Sequence, residues 1–269
     1  MNRRRFIGYS ALGAAALGMG DMIVEPHRLE TTHHRILLNQ NASSDPVRVV
    51  QISDLHLGGF GEHEERIANA SRSANPDLIL ITGDSLDHPG RESILDELMS
   101  SLDGDVPKLA ILGNWEYWAR LDIPSLARLY ERHNCRLLVN QSASVDITGR
   151  RIRFVGVDDF VAGRPEIRAA FSDRSDVDAE VILAHCPAHR DVLASNASLM
   201  ISGHTHGGQV TLFGWAPRLP RGCAGYNRGW YPPRNNVKGP LYVSRGLGNS
   251  LVNLRMGSIP EVAVLDLLV

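Results

Sequence analysis

The chain has 269 residues, 43% of them hydrophobic and 22% charged, an ordinary globular composition with enough apolar content for one sizeable core. A net charge of −2 and a pI near 6.6 leave no basic footprint and argue against nucleic acid as a partner. The three cysteines, Cys135, Cys186 and Cys223, are an odd count without metal-type spacing and argue against a disulfide framework.

Residues 1–24 are expected to stand apart from the fold. Arg3-Arg4-Arg5 precede Phe6-Ile7 and a Gly/Ala-rich apolar stretch over 8–20, the pattern of a twin-arginine export signal. This predicts the twin-arginine translocation machinery as a partner and the periplasm or the extracytoplasmic membrane face as the destination. The stretch falls short of the roughly 20 apolar residues of a spanning helix. No Ala-x-Ala site follows, so a retained anchor touching the membrane surface is the second reading and a plain tail the third.

Residues 25–45 read as a linker and edge segment, with an edge strand at 35–38 and a turn-rich link at 41–46, and 46–269 hold the main domain. The β-branched run 47–52 ends at Asp54, 62–73 reads as a helix stopped by Asn75-Pro76, and 78–81 starts the next strand. The cycle repeats with a helix at 91–102, a strand at 108–112 and a helix at 124–133 carrying proline in its first turn. In the second half, 145–148 and 151–157 form a hairpin turning at Gly149-Arg150. Short helices at 165–171 and 188–194 and strands at 181–184, 199–202, 209–212, 241–245 and 262–267 complete the chain. Alternating helices and strands with antiparallel additions predict an α/β fold of two packed mixed sheets flanked by helices.

Polar residues cluster where the strands end: Asp54-Leu55-His56, Gly83-Asp84-Ser85-Leu86-Asp87, Gly113-Asn114-Trp115-Glu116, Ala184-His185-Cys186-Pro187 and Ser202-Gly203-His204-Thr205-His206-Gly207-Gly208-Gln209. Asp54, Asp84 and Asn114 are spaced by 30 residues twice over, the length of a strand-helix-strand unit, which puts all three on the sheet edge where open α/β folds build their sites. Singly, each residue has a plain use. Asp84 and Asn114 are good helix caps, Asp54 suits a solvated turn, His185 suits a hydrogen-bonded core position, and Asp87 reads equally as a cap or as support for a ligand. Jointly, the mixture of carboxylate, imidazole and amide oxygen is a donor set for divalent metal.

In this order the five motifs resemble the calcineurin-like metallophosphoesterases over 47–267, and Gly-His-Thr-His-Gly-Gly-Gln with Tyr242-Val243-Ser244-Arg245-Gly246-Leu247-Gly248 resembles their exported or membrane-associated bacterial branch. The resemblance implies a four-layer sandwich of two mixed β-sheets flanked by helices. It also implies two divalent metal ions, drawn from Mn, Fe, Zn or Co, about 3.5–4 Å apart. Asp54, His56 and His206 would hold the first ion, Asn114, His185 and His204 the second, with Asp84 shared. A hydroxide between the ions would attack phosphorus in line. Asp84, Asn114 and His204 are the candidate catalytic residues, and Trp115 and Arg245 the candidate substrate contacts.

Most members carry His where this chain has Trp115, and indole has no acidic proton to give a leaving group, help typically worth 10²–10⁴-fold. His63, His88 and His189 are possible stand-ins. The departure favours a substrate whose leaving group is already a good anion: an activated phosphodiester, or a phosphoanhydride such as the lipid-linked pyrophosphate of UDP-2,3-diacylglucosamine. A phosphorylated small molecule or lipid is thus the expected partner, and the alternative is a degenerate binding or scaffold module. Trp115, Tyr117 and Trp118 either line a substrate pocket or pack beneath the metal loop. The turn-rich stretch 213–236 either contacts substrate or closes the sheet end. Arg245 and Arg255 either grip phosphate or form ion pairs.

Overall fold

The computed structural model describes residues 28–269 apart from 40, 41, 43, 212–214, 235 and 251, so the expected export signal at 1–24 lies outside the described residues. Strands β1 (Glu30–Leu37), β2 (Val47–Ile52), β3 (Leu78–Thr82), β4 (Lys108–Ile111), β5 (Cys135–Leu137) and β12 (Glu261–Leu268) form one sheet in the order β1-β12-β2-β3-β4-β5. Strands β6 (Gln141–Ile147), β7 (Arg150–Val157), β8 (Ala179–Ala184), β9 (Leu199–Ser202), β10 (Gly229–Tyr231) and β11 (Leu241–Val243) form the other, ordered β10-β11-β9-β8-β7-β6. Helices α1 (Glu62–Ser73), α2 (Glu92–Ser101), α3 (Asn114–Trp118), α4 (Ile123–Arg132), α5 (Ile167–Ala170) and α6 (His189–Val192) link them.

The period-2 alternation of the strands builds the layers. Val47, Val49, Leu78 and Leu80 turn toward Ile152, Phe154, Val181 and Leu183 of the opposite sheet. Their neighbours Val50, Ile52, Ile79 and Ile81 pack on Ile67, Leu95, Leu98 and Leu126 of α1, α2 and α4. Across the molecule Val155, Ile182 and Met200 pack on Ala170 and Leu193. Strands buried on both faces read as continuous apolar runs, which is why β2, β3, β4 and β8 are plain in the sequence. The result is the expected four-layer sandwich.

Parallel pairing of β2, β3 and β4, and separately of β8, β9 and β11, sends the carboxyl ends of both sets to one edge of the molecule. There Leu247 and Gly248, just past β11, donate to the carbonyls of Ser53 and Asp54 at 3.0 and 2.7 Å and join the two sheets.

Several elements differ from expectation. β1 starts at Glu30 and runs parallel to β12 from Glu30↔Glu261 to Leu37↔Leu268, so much of the edge segment belongs to the first sheet. The strand expected at 209–212 does not form over its described residues: Gln209 turns the chain at φ 51°, and Val210 keeps only an isolated bridge to Met256. The amide of Gln209 instead donates to the carbonyls of Ser250, Val252 and Leu254. The hairpin turns on Thr148-Gly149, both at positive φ, one residue earlier than read. The helices expected at 165–171 and 188–194 shrink to single turns, α5 and α6.

Candidate metal centre

Strand ends deliver the polar residues to one buried place. Asp54 and His56 follow β2, Asp84 follows β3, Asn114 opens α3 after β4, His185 follows β8, and His204 and His206 follow β9. Two groups of donor atoms result, Asp54, His56, Asp84 and His206 in one and Asp84, His185 and His204 in the other, with the atoms of each within 4.8 Å of one another. Asp84 is common to both. The groups abut, since His185 Nε2 lies 3.9 Å from Asp54 Oδ1 and 3.1 Å from Asp84 Oδ2.

The donor set fits a pair of cations. His56 and His206 face each other through Nε2 atoms 3.1 Å apart, as do His185 Nε2 and His204 Nδ1 at 3.3 Å. Two imidazole lone pairs repel at that distance unless a proton or a cation lies between them. Asn114 Oδ1 is buried without a hydrogen-bond partner among the described residues, an unmet acceptor that lines one cavity with Asp84, His204 and His206.

Carbonyl oxygens orient the rings. A carbonyl only accepts, so His185 Nδ1 must donate to Thr82 O at 2.7 Å and His204 Nε2 to Arg221 O at 2.7 Å, which turns the other nitrogen of each ring toward the cluster. His206 Nδ1 stands 3.3 Å from both the Gly248 carbonyl and the Arg255 guanidinium. Burial opposes charge on both members of the Asp84–His185 pair, yet each other's charge holds the carboxyl well below its ordinary range and the imidazole well above. His204 is pushed down by burial and by His185, and His206 further down by burial, His56 and Arg255.

Two residues of the site, Glu116 and Ser53, carry no role in the sequence reading. Glu116, buried on α3, accepts from the backbone amides of Asp84, Ser85 and Gly113 at 3.2, 2.6 and 2.9 Å. Burial and repulsion by Asp84 push its carboxyl up to about 7. Its signal is its place three residues after Gly113, where the carboxylate at the third helical position accepts from the N-cap amide. Ser53 donates to Asp54 Oδ2 at 2.6 Å. Arg255 is buried and reaches His206 Nδ1 at 3.3 Å, behind the cluster rather than at a phosphate. Asp87 is not a helix cap, since α2 begins beyond it and Oδ1 pairs with Arg91 at 2.8 Å; Oδ2 stands 4.0 Å from His56 Nδ1, beyond hydrogen-bond reach. Gly113 and Gly203 are required here, because a Cβ at either would collide with the carboxylates of Asp84 or Asp54.

The remaining candidates separate. Trp115 donates its backbone amide to Asp84 Oδ1 at 2.8 Å and, with Trp118, lines a cavity of about 920 Å³ over the cluster. Tyr117 turns away and donates to Asp158 at 2.6 Å. Arg245 is spent on Glu30 at 2.7 Å and Glu261 at 3.2 Å, the ion-pair use rather than the substrate contact, and it is not among the residues lining that cavity. From the stretch 213–236, Pro217, Arg218, Pro220 and Arg221 line the cavity, whereas Tyr226 and Tyr231 pack together. His63 lines a neighbouring cavity beside His56, His88 is exposed, and His189 is buried against the Asp158 carbonyl.

A family model described as calcineurin-like phosphoesterase matches residues 47–208. The chain is 30% identical to the uncharacterized metallophosphoesterase YkuE of Bacillus subtilis over 99% of its own length and 98% of the relative's. It is 29% identical to the phosphodiesterase YaeI of Escherichia coli over 99% of both chains. It is 26% identical to the UDP-2,3-diacylglucosamine pyrophosphatase LpxG of Chlamydia trachomatis over 90% of both. Among solved structures, the 5'-nucleotidase precursor of Thermus thermophilus superposes with a TM-score of 0.51 at 16% identity, covering 82% of this chain and 54% of that one. The chain therefore spans about half of that nucleotidase, and the likeness is one of fold.

Proposed function

The chain belongs to the calcineurin-like phosphoesterase family and is a phosphoester hydrolase, and from that premise we propose that it is a dinuclear metal-dependent hydrolase of phosphodiesters or phosphoanhydrides. The observation that carries this is the single Asp84 carboxylate shared by two donor groups. Asp54, His56 and His206 would hold one divalent cation and Asn114, His185 and His204 the other. The nitrogen and oxygen donors suit Mn, Fe, Zn or Co. When bound, such a pair lowers the pKa of water and relieves charge on the phosphoryl oxygens.

The chain's own residues shape that chemistry. His185 and His204, oriented by the carbonyls of Thr82 and Arg221, turn Nε2 and Nδ1 toward the cluster and cannot relax away. Trp115 borders the place where a phosphate would sit and offers no acidic proton, which supports a leaving group that departs as an anion. The names of YaeI and LpxG, a phosphodiesterase and a pyrophosphatase, support the same two substrate classes. The export pattern at 1–24 supports action on the outer side of the membrane on a phosphorylated small molecule or lipid.

The test is hydrolysis of bis(p-nitrophenyl) phosphate by the purified full chain with added Mn²⁺. Activity is expected to vanish on chelation, return with the metal, and fall at least about 10³-fold in Asp84→Ala, since both cation sites lose a ligand. An absence of metal-dependent turnover on diesters and pyrophosphates alike would leave a binding module instead.

A further inference from the structure

The donor cluster opens on two cavities. The larger, about 920 Å³, has Asp84, Asn114, His204 and His206 at its base. The second, about 740 Å³, has His56 and Asp87 at its base. They meet across the cluster, because His206 belongs to the first and His56 to the second, and their Nε2 atoms are 3.1 Å apart. Trp115 and Val252 border both. The indole of Trp115 stands edge-on to His56 at 5.7 Å and to Trp118 at 5.4 Å, the position of a partition between two compartments.

The compartments differ in chemistry. Trp118, Val161, Pro217, Pro220 and Val252 wall the first, with Arg218 and Arg221 beside them. Trp118 is 55% and Val252 58% exposed, large apolar surface left in water at the mouth. The second is walled by Gly58, Gly59, Gly61, Glu64, Asn249 and Asn253 together with Leu55, Phe60 and His63, a mixed surface with a larger polar share than the first. The carboxylates of Glu64 and Asp87 there disfavour a second anion, so a neutral, hydroxylated group suits it best.

A phosphate monoester has one substituent and needs one compartment. A diester has two, leaving phosphorus in different directions. Resting on the hydrolase reading above, we infer that the substrate is an asymmetric amphipathic phosphodiester. Its apolar arm seats on the Trp118–Val252 wall and its hydroxylated arm lies in the glycine-lined compartment, with Trp115 dividing them.

The experiment compares methyl and octyl p-nitrophenyl phosphate, below micellar concentration, with the full chain loaded with Mn²⁺. Each buried methylene multiplies binding about fourfold, so the octyl ester is expected to show kcat/KM at least about tenfold higher, with the gain in KM. In Trp118→Ala the octyl-to-methyl ratio falls toward one, and because it is a ratio within one variant, a general loss of activity cancels. Gly59→Leu adds a side chain whose Cβ meets no atom within 4 Å; it narrows the polar compartment and should slow the diesters more than p-nitrophenyl phosphate. At equilibrium, quenching of tryptophan fluorescence by octyl methylphosphonate should occur at lower concentration than by ethyl methylphosphonate, again at least about tenfold.

Equal rates for methyl and octyl esters, a ratio untouched by Trp118→Ala, or equal slowing of monoester and diester by Gly59→Leu would overturn the inference. If Mn²⁺-dependent hydrolysis persists in those results, the hydrolase reading survives alone. If no ester in the series is hydrolysed, both are overturned.

Discussion

Asp54, His56, Asp84, His204 and His206, five of the seven expected ligands, hold left-handed backbone with φ between 45° and 73°. Such conformations cost on the order of 1–3 kcal/mol each in non-glycine residues and persist only where the surroundings over-determine them. The amide of His204 is pinned by both oxygens of Asp54 at 2.9 and 3.1 Å, and that of His56 by the Asp84 carbonyl at 3.0 Å. Glu116 does the same for the turn at Asp84 by accepting three backbone amides. Replacing it with the near-isosteric amide keeps the shape but turns an NH₂ against amide donors, which costs about 2 kcal/mol. Glu116→Gln is therefore expected to melt about 4–8 °C lower. It should also lose about 10–100-fold in turnover of bis(p-nitrophenyl) phosphate, the usual effect of disturbing a partner behind a ligand. Unchanged melting and unchanged metal content would show that Glu116 does not hold the Asp84 turn.

At the scale of elements, β1 is tied to the sheet by a buried network at its entry. Glu261 at the head of β12 accepts from Tyr242 at 2.7 Å, from Thr32 of β1 at 2.5 Å and from Arg245 at 3.0 and 3.2 Å. Burial works against charge on Glu261, but the Arg245 guanidinium and these donors hold its carboxyl below the ordinary 4.5. A depressed carboxyl contributes stability that is present above the unfolded value and lost as pH falls through the folded one. Glu261→Gln should thus be about 3 kcal/mol less stable than the parent at pH 7, where a buried pair is broken. The gap should shrink as denaturation is followed below about pH 4.5; a gap constant from pH 7 to pH 3 would refute the assignment.

The same element shows what the sequence can and cannot reveal. β2, β3, β4, β8 and β9 are legible because apolar runs buried on both faces leave little alternative, and the 30-residue cadence of their polar ends follows. β1 is masked by its alternation of Thr, His and Arg, and β5 and β10 are 3-residue strands fixed by their neighbours. Arg245 reads either as a phosphate contact or as an ion pair because its partners Glu30 and Glu261 lie 215 and 16 positions away in the chain. The ligand types were readable from motif order; their left-handed backbone, Glu116's three amides and the second cavity depend on how the ends of two sheets meet.

For the whole molecule, the decisive feature is that no single sheet contains the site. Asp54, His56, Asp84 and Asn114 come from the first sheet, and His185, His204 and His206 from the second. Cations bound between them would join the two halves of the sandwich, and a ligand that binds only the folded chain stabilises it by about 2.7 kcal/mol at 100 times its dissociation constant. For a chain of this size that corresponds to a rise in melting temperature of about 5–10 °C with Mn²⁺ over the chelated protein. Since Asp84 serves both donor groups, the two ions should load as a coupled pair rather than as independent additions. His56→Ala, which damages the first group, and His185→Ala, which damages the second, are each expected to abolish more than half of the Mn²⁺-induced rise. If each variant instead retains half of it, the ions bind independently and Asp84 does not bridge them.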